Sequence, residues 1–142
     1  MQAADSEQRD DGLTALFEAA RAVRGRAHAP YSRFQVGAAL RDERGAIHAG
    51  CNVENAAYPV GTCAEAGAIA AMIAAGGRRI AEILVCGDGA GLVTPCGACR
   101  QRIREFGEPD TPIHAAGPAG VAKTFTLADL LPESFGPETL GD

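Results

Sequence analysis

The sequence lacks the features that mark membrane and secreted proteins. No apolar run approaches the roughly 20 residues that a membrane-spanning helix needs. Residues 1–11 are polar and acidic, which is unlike a signal or transit peptide. We therefore expect a cytoplasmic protein with no membrane partner.

An excess of basic residues is also missing. The chain has 13 Lys and Arg against 18 Asp and Glu, a net charge of −5, whereas polynucleotide binding depends on a basic surface. No nucleic acid is therefore expected as a partner. Repeats and low-complexity segments are absent as well, so the length of 142 residues predicts a single domain over residues 1–142, with residues 1–11 as a flexible N-terminus.

The chain does contain five cysteines, an odd number. Cys96 and Cys99 form a C-x-x-C pair, which in a reducing compartment indicates metal or redox chemistry rather than a disulfide framework. Cys51 and Cys86 fall in apolar segments, where we expect them to pack as small buried hydrophobes.

Hydrophobic periodicity predicts strands that alternate with helices through the middle of the chain. Pro30 is expected to end the first helix. Helices are predicted over residues 13–27, 62–75, 97–106 and 127–131, and strands over residues 34–40, 46–53, 80–86, 111–116 and 122–125. This alternation indicates an α/β fold around one mixed sheet.

Three cysteines fall at predicted helix starts: Cys63 in the second helix, and Cys96 and Cys99 in the third. The unpaired N–H groups and partial positive charge of a helix N-terminus favour thiolates, the form that zinc binds. Three protein ligands leave one tetrahedral position open, as in catalytic zinc sites. Glu65 lies beside that position, where a proton carrier is needed.

A structural zinc site is the alternative interpretation of the three thiols. Structural sites normally close with a fourth protein ligand, which His28, His48 or His114 could provide. Each histidine is more simply explained as a satisfied or exposed side chain. The open, catalytic site is therefore the preferred prediction.

The order C-x-E and then P-C-x-x-C resembles the signature of zinc-dependent base deaminases. Matching stretches at residues 29–40, 50–58, 63–65, 95–101 and 130–137 make the chain similar to the small cytidine deaminases with an all-cysteine zinc site. The resemblance runs from about Leu13 to Leu140. It implies a three-layer α-β-α fold with a mixed five-stranded sheet, one Zn²⁺ per subunit and a homotetramer with shared active sites.

The resemblance also implies a reaction. Zinc held by Cys63, Cys96 and Cys99 activates a water, and Glu65 takes its proton as C4 of cytosine is attacked. Glu65 then returns protons to N3 and to the leaving amine. Cytidine and deoxycytidine are thereby hydrolysed to uridine, deoxyuridine and ammonia, a step of pyrimidine salvage.

Contacts to the substrate follow from the same resemblance. Asn52 and Glu54 are implied to hydrogen-bond the ribose hydroxyls, and alternate residues of a strand face the same way. Phe34 is implied to pack on the pyrimidine, and backbone groups near Ala64 to read the base edge. Phe135 is implied to enter a neighbouring subunit's pocket. The predicted substrate-binding residues are Phe34, Asn52, Glu54, Tyr58, Ala64 and Phe135.

One position departs from the family pattern. In many relatives an arginine follows the catalytic glutamate and hydrogen-bonds the thiolates, whereas this chain has Ala66. Three thiolates outweigh the charge of Zn²⁺, and an ionised Glu65 adds to the excess negative charge. We hypothesise that Arg102, or Arg100 beside Cys99, supplies the missing donor.

Three other functions compete with this prediction. A deaminase of a cytosine-nucleoside antibiotic, of the blasticidin type, shares the fold and the zinc motifs, although the pair Asn52 and Glu54 favours an ordinary nucleoside. An editing deaminase needs a basic groove for DNA or RNA, which an acidic chain does not favour. A non-catalytic zinc module leaves Glu65 without a role.

Overall fold

A mixed sheet of five strands forms the middle layer of the fold. The computed structural model describes residues 2–89 and 91–141, and the side chains from Glu7 onward among them. The strands are β1 (Gly37–Asp42), β2 (Ile47–Cys51), β3 (Ile80–Cys86), β4 (Pro112–Gly117) and β5 (Gly120–Thr126), in the order β2-β1-β3-β4-β5. β3 and β4 pair in parallel, and the other neighbours are antiparallel. The predicted mixed five-stranded sheet is confirmed.

Helices cover the two faces of this sheet. They are α1 (Gln2–Arg24), α2 (Ala64–Ala74), α3 (Gly97–Phe106) and the short α4 (Leu127–Leu130), with single 3₁₀ turns at Tyr58–Val60 and Pro137–Leu140. No helix in the described part of the chain is both long and apolar enough to cross a membrane.

Alternate residues of the central strands point to opposite faces, which divides the core in two. Leu84 packs with Leu16 of α1 on one face. Ile83 packs on the other face with Met72 of α2 and Ile103 of α3. The predicted three-layer α-β-α architecture is therefore confirmed.

Two glycines let the helices approach the sheet closely. A Cβ on Gly37 would lie 2.1 Å from the backbone oxygen of Ala20 in α1, and a Cβ on Gly50 would lie 2.3 Å from the backbone nitrogen of Ala68 in α2. Only glycine fits between backbones at this distance. The position of α2, which starts at the candidate metal site, thus depends on Gly50.

The N-terminal helix differs from its prediction at both ends. α1 begins at Gln2, well before the expected start at residue 13, and it ends at Arg24, before Pro30. Gly25 follows the last helical residue, and glycine commonly stands just after a helix C-terminus. The flexibility of residues 1–11 stays a prediction.

Both strands of the first hairpin are shorter than predicted. β1 starts at Gly37 rather than at residue 34, and β2 ends at Cys51 rather than at residue 53. The side chain of Asn52 explains the first difference, because it bonds the backbone of Phe34 and Val36 in place of a neighbouring strand. By contrast, β3 and α3 have their predicted bounds.

Candidate active site

The N-termini of α2 and α3 carry the three candidate metal ligands. Cys63 is the N-cap of α2 and Cys96 the N-cap of α3, both with an extended backbone. Cys99 lies in the first turn of α3 and is buried. Neither N-cap side chain caps its helix. Their sulfurs are therefore available to another partner.

The spacing of the three sulfurs fits zinc. All three lie within 4.8 Å of one another, and the Sγ atoms of Cys63 and Cys96 are 3.9 Å apart. A tetrahedral site with Zn–S bonds of about 2.3 Å separates its sulfurs by about 3.8 Å. The triad is positioned to bind a metal ion, and its thiol donors suit zinc.

Two of the three histidines proposed as a fourth ligand have other side-chain partners. His48 Nε2 lies 2.8 Å from Asp42 Oδ2, and His114 Nε2 lies 3.1 Å from Glu82 Oε1. For His28 only the backbone is paired in the described part of the chain, with Asn52 and Glu54, and its side chain does not line the cavity that the thiols border. Within the residues that the structure describes, no histidine joins the three thiols, so the geometry favours the open site over the closed, structural one.

Burial sets the protonation of the site. It raises the pKa of the Cys63 and Cys99 thiols, so protons must leave when a metal binds and metal affinity must rise with pH. Glu65 in the first turn of α2 is only 4% exposed. Its burial raises the pKa of its carboxyl above the ordinary value, which suits a group that takes up and returns a proton.

The two candidate arginines differ in what they contact. Nη1 of Arg102 donates to Cys99 Sγ over 3.4 Å. The guanidinium of Arg100 instead donates to the backbone oxygens of Pro95 and Leu130, over 2.8 and 2.9 Å. Only the first of these contacts reaches a candidate metal ligand, so the geometry favours Arg102 for charge compensation.

A cavity of about 690 Å³ opens above the thiols. This volume falls within the usual range for small-molecule sites. Five of the six predicted substrate-binding residues line it together with Glu65, Cys63 and Cys96; these five are Phe34, Asn52, Glu54, Tyr58 and Ala64. Sequence reasoning missed Tyr31, Ser32, Val93 and Thr94, which also line the cavity.

Asn52 and Glu54 lie beyond the end of β2, not within a strand as predicted. They still face the same cavity, because Val53 between them makes isolated bridges that keep the backbone extended. Asn52 Oδ1 accepts from the N–H of Val36 over 2.9 Å, and Asn52 Nδ2 donates to the oxygen of Phe34 over 2.8 Å. This segment of the cavity wall is thus held by one amide side chain.

Glu54 holds the neighbouring part of the wall. Its Oε1 accepts from the N–H groups of Tyr31 and Ser32, over 2.9 and 3.1 Å. The Ser32 hydroxyl donates to Oε2, and this bond is the main reason why the pKa of Glu54 is lowered. Glu54 is therefore an ionised hydrogen-bond acceptor. In the sequence, the only signal that could have pointed to Ser32 is that it belongs to the matching stretch of residues 29–40.

The rim of the cavity carries exposed aromatic rings. Tyr58 is 75% exposed and packs edge-to-face on Tyr31, with ring centroids 5.7 Å apart. Phe135 is 56% exposed and, unlike the other predicted contacts, does not line the cavity of its own chain. Its backbone oxygen accepts from Gln101 Nε2 over 2.9 Å, which attaches this segment to α3.

Comparison with known proteins places this site in a family. Residues 11–115 match the model of the cytidine and deoxycytidylate deaminase zinc-binding region. The cytidine deaminase of Sporosarcina psychrophila is 42% identical over 125 residues, which cover 88% of this chain and 92% of that protein. The cytidine deaminase of Mycobacterium tuberculosis strain H37Rv is 43% identical over 116 residues, covering 80% and 82%.

A solved structure agrees with these sequence matches. The crystal structure of cytidine deaminase from Burkholderia pseudomallei superposes with a TM-score of 0.81 at 45% identity, and covers 86% of this chain and 98% of that one. Its fold is thus shared over most of both chains. The chain therefore belongs to the cytidine and deoxycytidylate deaminase family of zinc-dependent enzymes.

Proposed function

We propose that the protein hydrolyses cytidine and deoxycytidine to uridine and deoxyuridine, with release of ammonia. The observation that carries this proposal is the position of Glu65, which is buried beside three thiols positioned to bind a metal and lines a cavity of about 690 Å³. The relatives named above are cytidine deaminases, which supports the same substrate class.

Glu65 moves the protons of this reaction. Zinc, when held by Cys63, Cys96 and Cys99, supplies the acidified water that attacks C4. Glu65 would accept the two protons of that water in turn, the first as the oxygen adds to C4 and the second as the C4 carbonyl forms. It would pass one to N3 and the other to the amine, so that the C4–N bond breaks with ammonia as the leaving group. Its burial supports this role, since it brings the carboxyl pKa closer to neutrality.

The sugar and the base bind at different parts of the cavity. We assign the ribose hydroxyls to Asn52 and Glu54, because an ionised carboxylate accepts hydrogen bonds and the amide retains a free N–H. Phe34 and Tyr58 supply ring surface for the pyrimidine, and the backbone at Ala64 reads the base edge. All these residues line one cavity.

Arg102 balances the charge of the thiolates in this proposal. An arginine that donates a hydrogen bond to a thiolate sulfur withdraws negative charge from the metal ligands. Arg102 would thus replace the arginine that many relatives have at the position of Ala66. The distance of 3.4 Å from Nη1 to Cys99 Sγ supports this assignment.

We further propose a homotetramer in which Phe135 of one subunit enters the cavity of the next. Its exposure and its position outside its own cavity support this arrangement. A monomer with full activity in scattering or sedimentation experiments would contradict the shared site.

An acidic chain with no membrane-spanning helix in its described residues also fits a cytoplasmic enzyme of pyrimidine salvage.

The test follows the ultraviolet absorbance of cytidine, deoxycytidine, cytosine, CMP and a cytosine oligonucleotide after adding protein of measured zinc content. We expect turnover of the two nucleosides and little of cytosine, because the free base lacks the sugar that Asn52 and Glu54 bind. Activity on the oligonucleotide alone would overturn the proposal. A blasticidin-type substrate in the same assay tests the antibiotic alternative, which none of the relatives named above supports.

A further inference from the structure

The segment of residues 31–34, here the pocket loop, contains a strained backbone position. Arg33 has a φ of 59°, in the left-handed region that an arginine side chain disfavours. Such a conformation persists where surrounding contacts hold it, and it is often found at binding sites. The contacts that hold the pocket loop are therefore of functional interest.

The side chain of Ser32 spans the strained residue Arg33 and connects Phe34, which follows it, to Glu54. Its hydroxyl oxygen accepts from the N–H of Phe34 over 3.0 Å, and the same hydroxyl donates to Glu54 Oε2. A serine hydroxyl has one proton to donate and lone pairs to accept, so both bonds form together. One oxygen thus joins the residue assigned to the base with the residue assigned to the sugar.

We propose that Ser32 is a positioning residue that couples sugar recognition by Glu54 to the placement of the Phe34 ring over the base. This inference rests on the proposed function. Binding of a ribose hydroxyl at Glu54 then stabilises the pocket loop, and the ordered loop presents the ring.

Removal of the Ser32 hydroxyl breaks its hydrogen bonds to Glu54 and to Phe34 at the same time. Glu54 loses its only side-chain donor in the pocket loop, and the N–H of Phe34 loses its acceptor. Arg33 can then leave the left-handed region, which moves the ring. Asn52 still holds the oxygen of Phe34, so the loop loosens without unfolding. The thiols and Glu65 lie on other elements, and the chemical step itself is expected to stay intact.

The kinetic test compares Ser32→Ala with Thr14→Ala, a matched loss of a hydroxyl at an exposed position of α1 outside the cavity. We expect KM for cytidine to rise about tenfold in Ser32→Ala, as for loss of one charge-assisted hydrogen bond, with kcat nearly unchanged. The preference in kcat/KM for cytidine over 2′,3′-dideoxycytidine should fall, because Glu54 no longer reads the hydroxyls from a fixed position. Ser32→Thr, which keeps the hydroxyl, should restore that preference.

A second measurement does not depend on activity. Amide hydrogen exchange over residues 31–36 of the substrate-free protein should be faster in Ser32→Ala and unchanged in Thr14→Ala. If the wild-type protein does not deaminate cytidine, the proposed function is refuted. Faster exchange in Ser32→Ala would in that case still show that Ser32 holds the pocket loop. Unchanged exchange together with an unchanged sugar preference overturns the inference, as does a fall in kcat with KM and the preference unaltered.

Discussion

The two halves of the cavity are built in different ways. In the metal half, Cys63, Cys96, Cys99 and Glu65 are placed by the first turns of two helices. In the sugar half, Asn52 and Glu54 lie beyond a strand end, and their side chains bond the backbone of residues 31–36. Regular structure therefore positions the candidate metal ligands and Glu65, whereas individual hydrogen bonds position the residues proposed to bind the sugar.

The largest expected effect is on kcat, from a substitution of Glu65 that removes proton transfer but leaves the metal ligands in place. Glu65→Gln should lower kcat by roughly 10²–10⁴-fold, because the amide cannot carry the proton, and zinc content should stay equal to that of the wild type. Glu105→Gln, an exposed substitution on α3, is the matched control. Loss of zinc in Glu65→Gln would mean that the carboxylate is a ligand.

A second substitution perturbs the metal half through packing alone. Gly50→Ala places a methyl group against the backbone of α2, and overpacking of this kind typically costs about 1–3 kcal/mol of unfolding free energy. Urea unfolding should show this loss, and chelators should remove zinc faster because α2 carries Cys63. Gly91→Ala, where a Cβ meets nothing within 4 Å, should change neither. Equal stability of the two variants would contradict the close approach of α2 to β2.

Arg102 tests whether the metal half needs a charge partner. Arg102→Ala and Arg102→Gln should lower kcat/KM by about tenfold, the value of a hydrogen bond to a charged group. The acidic limb of the pH profile should move to higher pH, because uncompensated negative charge disfavours loss of a proton from the active site. Zinc affinity, measured by chelator competition, should also change.

The control for this experiment is Arg26→Ala, an exposed arginine outside the cavity. If both Arg102 variants keep the rate, the pH profile and the zinc affinity of the wild type, Arg102 is rejected as the compensating residue.

The smallest expected effect concerns Asp42, which lies at the turn of the hairpin between β1 and β2, outside the cavity. The bond from His48 is the main reason why the pKa of this buried carboxyl is well below its ordinary value. Its stabilising contribution is therefore present above the unfolded-state pKa of about 4, and it is lost as pH falls toward the folded-state pKa.

Asp42→Asn should accordingly be less stable than the wild type in urea unfolding at pH 7, and the difference should shrink below about pH 4. Asp110→Asn, at an exposed turn, should show neither behaviour. A difference that stays constant from pH 7 to pH 3 would mean that the ionised carboxylate is not what stabilises the fold.

Sequence reasoning succeeded where local signals and tertiary structure agree. The bounds of β3 follow from a short, mostly apolar run, and the start of α3 from Pro95 before it. The three thiols were predicted to meet because their motifs resemble a known signature, and the structure brings them within 4.8 Å of one another.

The pocket loop could not be predicted in the same way. Residues 34–36 have a strand-like composition, but the left-handed Arg33 and the amide of Asn52 prevent them from joining β1. The role of Ser32 depends on a carboxylate 22 residues away in the chain. Periodicity contains no information about such contacts, because they form only after the hairpin has folded.

The glycines that face the helices have a consequence for engineering. Gly37 and Gly50 leave no space for a side chain between the sheet and the helices on either face, so library variants with substitutions at these positions will be less stable than the wild type. Tyr31 and Tyr58 are exposed at the cavity mouth, so changes in their size should alter contacts with a bound substrate more than the packing of the core. A search for activity on new nucleosides should therefore diversify the mouth of the cavity and keep its floor constant.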